Sequence, residues 1–172
     1  MNFAKLLLDP RGVIGRQAFA DGLLALAAII ALALVTLGVL AQALSWSIGD
    51  LAMALTPLLG TSLLVTKIVA ANIENRAAPE LIAPVLLMGA RLYVLACLCL
   101  KRLRDAGRGP SGLIIAGAMS LGFHMLMGQW AQTLLTSEMG ELFPPLIDVT
   151  FNLLLWGVFL LSLLVNRSRR NA

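Results

Sequence analysis

The sequence predicts an all-α integral membrane bundle of four transmembrane helices plus one interfacial or re-entrant helix, in a single domain over residues 1–172. Three observations carry that reading. Hydrophobic residues make up 59% of the chain and charged residues 13%, with a mean hydropathy of +0.90, far above a soluble domain. Five apolar runs recur along the chain, each near the roughly 20 residues that cross a bilayer as a helix. Most of the cations gather at the ends of these runs, where they orient helices.

The first span is predicted over about 20–44, with Thr36 and Gln42 its only hydrogen-bonding side chains after Gly22. "AQALS" at 41–45 has the small residues of a cleavage site, but the apolar stretch before it is too long for a signal peptide and begins some 20 residues into the chain. It reads as an uncleaved span. The second run, 51–73, holds Pro57, Gly60 and Lys67 and is followed by "ENRAAPE". The remaining spans are predicted over about 81–100, 112–131 and 146–166.

Orientation follows from Lys and Arg, which stay on the cytoplasmic side. Lys5, Arg11 and Arg16 precede the first run, Lys101, Arg102, Arg104 and Arg108 follow the third, and Arg167, Arg169 and Arg170 follow the fifth. Bringing the first two groups to one side requires an even number of crossings between them. The second run therefore lies in the outer interface, or dips in and returns, leaving four spans and both termini cytoplasmic. The linker "TSEMGELFPP", 136–145, carries two glutamates and no Lys or Arg, as suits a translocated loop, and Trp46 and Trp130 fall at outer ends. Trp156 falls in mid-span, against that pattern. Small residues that permit close helix approach recur as Gly112 with Ala116, Ala118 with Gly122, and Ala25, Ala28 and Ala31.

Several function classes are excluded. The 13 Lys and Arg against 9 Asp and Glu would suggest nucleic acid in a soluble chain, but their placement beside apolar runs assigns them to topology and anionic lipid. Cys97 and Cys99 point about 200° apart on a helix, and with one histidine in the chain no metal centre is predicted. No hydrolase, metalloprotease or phosphatidyl-transfer pattern occurs, so no catalytic residues and no cofactor are assigned. One intramembrane arrangement stands apart: Ser120 lies four residues before His124 on one helix face, with Asp148 on the next span.

Two polar groupings are candidate sites. In "CLCLKRLRDAGRGPSG", 97–112, cations beside a helix carboxyl end complement its dipole and resist transfer across the membrane, and topology alone accounts for them. The sharper expectation is that Arg102, Arg104 and Arg108, with Arg16, form a cytoplasmic site for a phospholipid headgroup or another anion, while Asp105 orients one guanidinium. The planar fork of Arg suits phosphate and carboxylate. Gly107, Gly109 and Pro110 read as a tight turn, with Ser111 capping the next helix.

The second grouping lies deeper. Arg91 precedes Lys101 by ten residues, about 15 Å along a helix, near mid-membrane, where Arg costs roughly 2.5–3.5 kcal/mol. His124 and Asn152 are at comparable depth, and Asp148, about one turn further outward, is the expected counter-ion of Arg91, with the imidazole able to relay a proton. The plainer alternative is that Arg91 fixes helix register and His124 is a satisfied interior residue.

At "RGVIGRQAF" and "LKRLRDAGRGPSGL" the sequence resembles a family of small bacterial inner-membrane proteins catalogued as domain of unknown function 805. The family's Gly-Arg-x-x-Arg-x-x-Phe/Tyr signature is matched by Gly12, Arg16 and Phe19, with Val13 in place of its first Arg. Its second signature, Arg-Arg-Leu-His-Asp-x-Gly-x-Ser-Gly-Trp, is similar to Lys101 through Arg108 followed by Ser111 and Gly112, with Arg104 in place of the His and Leu113 in place of the Trp. The likeness spans roughly 6–24 and 83–122. It implies a bacterial inner-membrane location and supplies no activity. The expected function is that of a non-enzymatic accessory or scaffold subunit meeting partners or anionic lipid through its cytoplasmic Arg/Asp surface; the alternative is a small transporter or channel component using Arg91, His124 and Asp148. A membrane-protein partner or a second copy suits so narrow a bundle.

Overall fold

A computed structural model describes residues 3–45, 82–133 and 143–166, and all regular structure among them is helical. The elements are α1 (Phe3–Leu8), α2 (Arg16–Ala43), α3 (Ile82–Asp105), α4 (Ser111–Thr133) and α5 (Phe143–Val165). Segment 51–73, Trp46, linker residues 136–142 and Arg167, Arg169 and Arg170 lie outside the described residues. Three stretches, Arg16–Ala43, Ser111–Trp130 and Leu146–Val165, are long and apolar enough to cross a membrane. The chain is a helical membrane protein.

The helix predicted over 81–100 does not stop where its charges begin. It runs on to Asp105, so "KRLRD" is its last turn and not a loop. Lys, Arg and Leu, unbranched at Cβ, lose little freedom in a helix, and the three cations find carbonyl partners on neighbouring segments. The stop comes at Gly107, whose φ of 67° lies in the left-handed region. Arg108 N–H then donates to Leu103 O at 2.8 Å and Gly107 N–H to Arg104 O at 3.0 Å, the paired bonds of a Schellman motif. A β-carbon there is strained, so Gly107→Ala is expected to cost about 1–2 kcal/mol in thermal denaturation in detergent, and Gly107→Asn less.

One expectation about this turn is corrected. Ser111 is the first helical residue of α4, and Pro110 occupies the cap position, its carbonyl accepting from Ile114 N–H at 3.0 Å. Proline fits there because the cap needs its carbonyl and not an N–H. At the start of α5, Pro144 and Pro145 fall in the first turn for the same reason.

Cross-helix bonds fix the topology. Those from α3 to residues 5–12 and to Leu163 and Asn166 bring together the C-terminal ends of α1, α3 and α5. The N-termini of α2 and α4 follow them directly in the chain, so α2 to α5 alternate in direction. Here, at the basic end, Leu6, Phe19, Leu98, Cys99, Leu103 and Leu163 make the buried core. Gly22 is what lets α2 approach α3: a β-carbon on it would lie 2.6 Å from a Leu98 methyl. Along the rest of α2, Leu24, Ile29, Leu32, Val35 and Val39 are exposed, as is fitting for helix surface turned to lipid.

The pairing of α4 with α5 is the most extensive among the described helices. Of the small-residue pairs, Gly112 and Ala116 lie on this seam, Gly112 against Phe159 and Ala116 buried. Ala118 and Gly122 are exposed, as are Ala28 and Ala31. Phe123 and Phe151 stack across the seam with ring centroids 3.9 Å apart.

Candidate functional site

The basic end is built by helix carbonyls that lack partners of their own. The last turn of any helix leaves such carbonyls, and they need donors when water is excluded. Lys101 Nζ donates to Lys5 O at 3.0 Å and to Leu6 O, and Tyr93 Oη donates to Leu8 O at 2.8 Å, so α3 caps α1. Arg102, wholly buried, donates from Nε to Leu163 O at 3.0 Å and from Nη2 to Asn166 O, capping α5. Its Nη1 pairs with Asp105 Oδ2 one turn along α3. Asp105 therefore orients a guanidinium, that of Arg102.

The five residues expected to bind an anion are thereby divided. Arg102 and Asp105 are buried together and tie α3 to α5. Arg16, Arg104 and Arg108 are exposed. Arg104 Nη1 donates to Pro10 O at 2.6 Å and reaches Gly12 O at 3.4 Å, and Arg108 Nη2 donates to Asn166 Oδ1 at 3.4 Å. The two stretches of the family resemblance thus meet in space, since Phe19 shares its core with Leu98 and Leu103. Lys101 and Tyr93 were not legible as ties, because their partners are carbonyls, which every residue carries.

The deeper grouping forms between α4 and α5. His124 Nδ1 lies 2.7 Å from Asp148 Oδ2, with Asp148 fully buried and the His124 side chain 12% exposed. Asn152 Nδ2 donates to Asp148 Oδ1 at 3.1 Å and to Asp148 O at 3.0 Å. Both are acceptors, so the Asn152 amide orientation is fixed and its Oδ1 must face Ser120, which donates to it through Oγ. Trp156 Nε1 donates to Ser120 Oγ at 3.2 Å, and His124 Nε2 lies 3.4 Å from the same oxygen. This explains the indole in mid-span: a buried N–H is placed where it has an acceptor.

The expected pairing of Asp148 with Arg91 gives way to one with His124 and Asn152, which hold both carboxylate oxygens. Arg91 lies partly buried on α3 with interactions of its own. Helix spacing favours the observed choice, because Asp148 and Asn152 are one turn apart on α5 and face the Ser120 and His124 turn of α4.

The order Ser120, His124, Asp148 has the connectivity of a hydrolytic triad. The proton positions differ from one, since the Ser120 hydroxyl donates to Asn152 Oδ1 and not to the imidazole. What the arrangement does chemically is hold protons in fixed places within an apolar seam. No family model, curated protein or solved structure matches the chain.

Proposed function

We propose that the chain is a bacterial inner-membrane protein of four spans with both termini cytoplasmic, acting as a non-enzymatic accessory or scaffold subunit whose basic end meets anionic headgroups or a membrane-protein partner. Taking α3 as the fourth crossing is energetically reasonable. Its nine Leu, Ile and Val residues between Ile82 and Leu100 contribute about 0.3–0.6 kcal/mol each toward insertion, against roughly 2.5–3.5 kcal/mol for Arg91. The family resemblance supports the bacterial inner membrane as its location.

The observation that carries the reading is the division among the cations. Lys101 and Arg102 hold α1, α3 and α5 together, while Arg16, Arg104 and Arg108 stand exposed on the end so fixed. A guanidinium has five N–H donors, and Arg104 and Arg108 each use one nitrogen on the protein, which leaves donors for a phosphate. Near an anionic surface each cation is worth about 1 kcal/mol. The Arg16→Ala, Arg104→Ala, Arg108→Ala triple variant is therefore expected to retain phosphatidylglycerol from mixed micelles about 100-fold less well in native mass spectrometry. Equal retention by variant and wild type would sink the reading.

A second reading, a small transporter or channel component, is favoured by one observation. Five polar side chains, Ser120, His124, Asp148, Asn152 and Trp156, are linked within the spanning part of α4 and α5. Ionisable groups at such depth are costly to insert and commonly mark ion or proton paths.

A further inference from the structure

Donor and acceptor assignments around His124 leave one position open. As an ionised carboxylate Asp148 can only accept, which assigns a proton to the Nδ1 that faces its Oδ2. Ser120 has a single hydroxyl proton, and the fixed Asn152 amide takes it at Oδ1. Ser120 Oγ also accepts from Trp156, so toward Nε2 it presents a remaining lone pair. A neutral imidazole protonated at Nδ1 would set a second lone pair against it. A proton on Nε2 turns that opposition into a hydrogen bond and completes the network.

We propose that Nε2 of His124 is a proton-binding position, held by the Asp148 carboxylate behind the ring and the Ser120 oxygen in front of it. The ligand is the proton itself. When the proton leaves, the Ser120 hydroxyl must turn from Asn152 to Nε2, so unloading gives up the Ser120–Asn152 bond across the seam and keeps only a Ser120–His124 bond within α4. Among the described residues, the groups that bear on the ring are few. From α5 it meets Asp148, and from its own helix Ser120; Asn152 and Trp156 bear on it through those two. Arg91 is the charged side chain of α3 at similar depth, and α2 has no charged residue after Asp21. The proposal rests on the intramembrane-site reading, yet it concerns the proton and not what crosses the membrane.

The chain's sole histidine makes the test direct. Protein carrying 15N-labelled histidine and a histidine-free affinity tag would be placed in lipid bilayers at neutral pH and its ring nitrogens recorded by solid-state NMR. Two protonated nitrogens are expected in the wild type, one in Asp148→Asn, and no change in Arg91→Gln. A single protonated nitrogen in the wild type would overturn the proposal, and needs no variant to fold. Two protonated nitrogens retained in Asp148→Asn, or loss of one in Arg91→Gln, would equally overturn it by assigning the proton to another partner. Flux through proteoliposomes measures transport separately, so a loaded ring without flux would remove the transporter reading and leave the proton site standing.

Discussion

Replacing Arg102 by alanine is expected to abolish most of the folded yield, the largest single effect in the chain. The side chain is fully buried and makes three ties, to Asp105, Leu163 O and Asn166 O. Its removal takes the Arg102 partner from a buried carboxylate and the donor from two helix-end carbonyls together. Breaking a buried ion pair from one side costs about 3–5 kcal/mol, a large share of the 5–15 kcal/mol that holds a typical domain folded. Arg102→Lys is expected to fail nearly as badly, because a single ammonium cannot span the separate carbonyls that the planar fork reaches. Size-exclusion profiles and thermal unfolding in mild detergent measure both.

The sign of one comparison separates a charge effect from lost packing. If the broken ion pair is the main cost, Asp105→Asn added to Arg102→Ala should recover part of the loss, while Asp105→Asn alone should cost less than Arg102→Ala. Strict additivity would mean that the carbonyl ties matter more than the ion pair. Arg104→Ala is the control: its side chain is exposed and its carbonyl partners can turn to water, so a loss within about 1 kcal/mol is expected.

These contrasts bear on what the sequence reveals. The helices were legible because apolar runs of membrane length leave few alternatives, and α4 and α5 extend only a few residues beyond the expected spans. The end of α3 was misplaced because charge was taken as a boundary, whereas the helix ends at the residue able to adopt positive φ, Gly107. The role of Arg102 was hidden for a different reason. An arginine that caps carbonyls and one that binds lipid look alike in sequence, and only burial tells them apart.

The intramembrane grouping was partly legible by depth. His124 and Asn152 were expected at comparable depth with Asp148 about one turn further outward, and the turn spacing of Ser120 with His124 was visible. Trp156 looked like an exception to the aromatic belt until its indole N–H met Ser120 Oγ. Depth gives no azimuth, however. Depth suggested Arg91 as the partner of Asp148, and only the packing of α4 on α5 selects His124.

Double-mutant cycles put a number on that selection. Asp148→Ala removes the acceptor of both His124 Nδ1–H and Asn152 Nδ2–H, and is expected to cost about 2–6 kcal/mol, since each buried donor left unsatisfied costs about 1–3 kcal/mol. Combined with His124→Ala it should fall short of additivity, because the second substitution removes a donor that the first has already orphaned. Combined with Arg91→Ala it should be additive. The size of the His124 coupling is informative in itself. Neutral interhelical hydrogen bonds in membranes average about 0.6 kcal/mol and reach about 1.7 kcal/mol. A coupling within that range is what a neutral imidazole would give, whereas one near 3 kcal/mol requires an ion pair and hence the second ring proton. Coupling to Arg91 in place of His124 would return Asp148 to the counter-ion role that depth alone suggested.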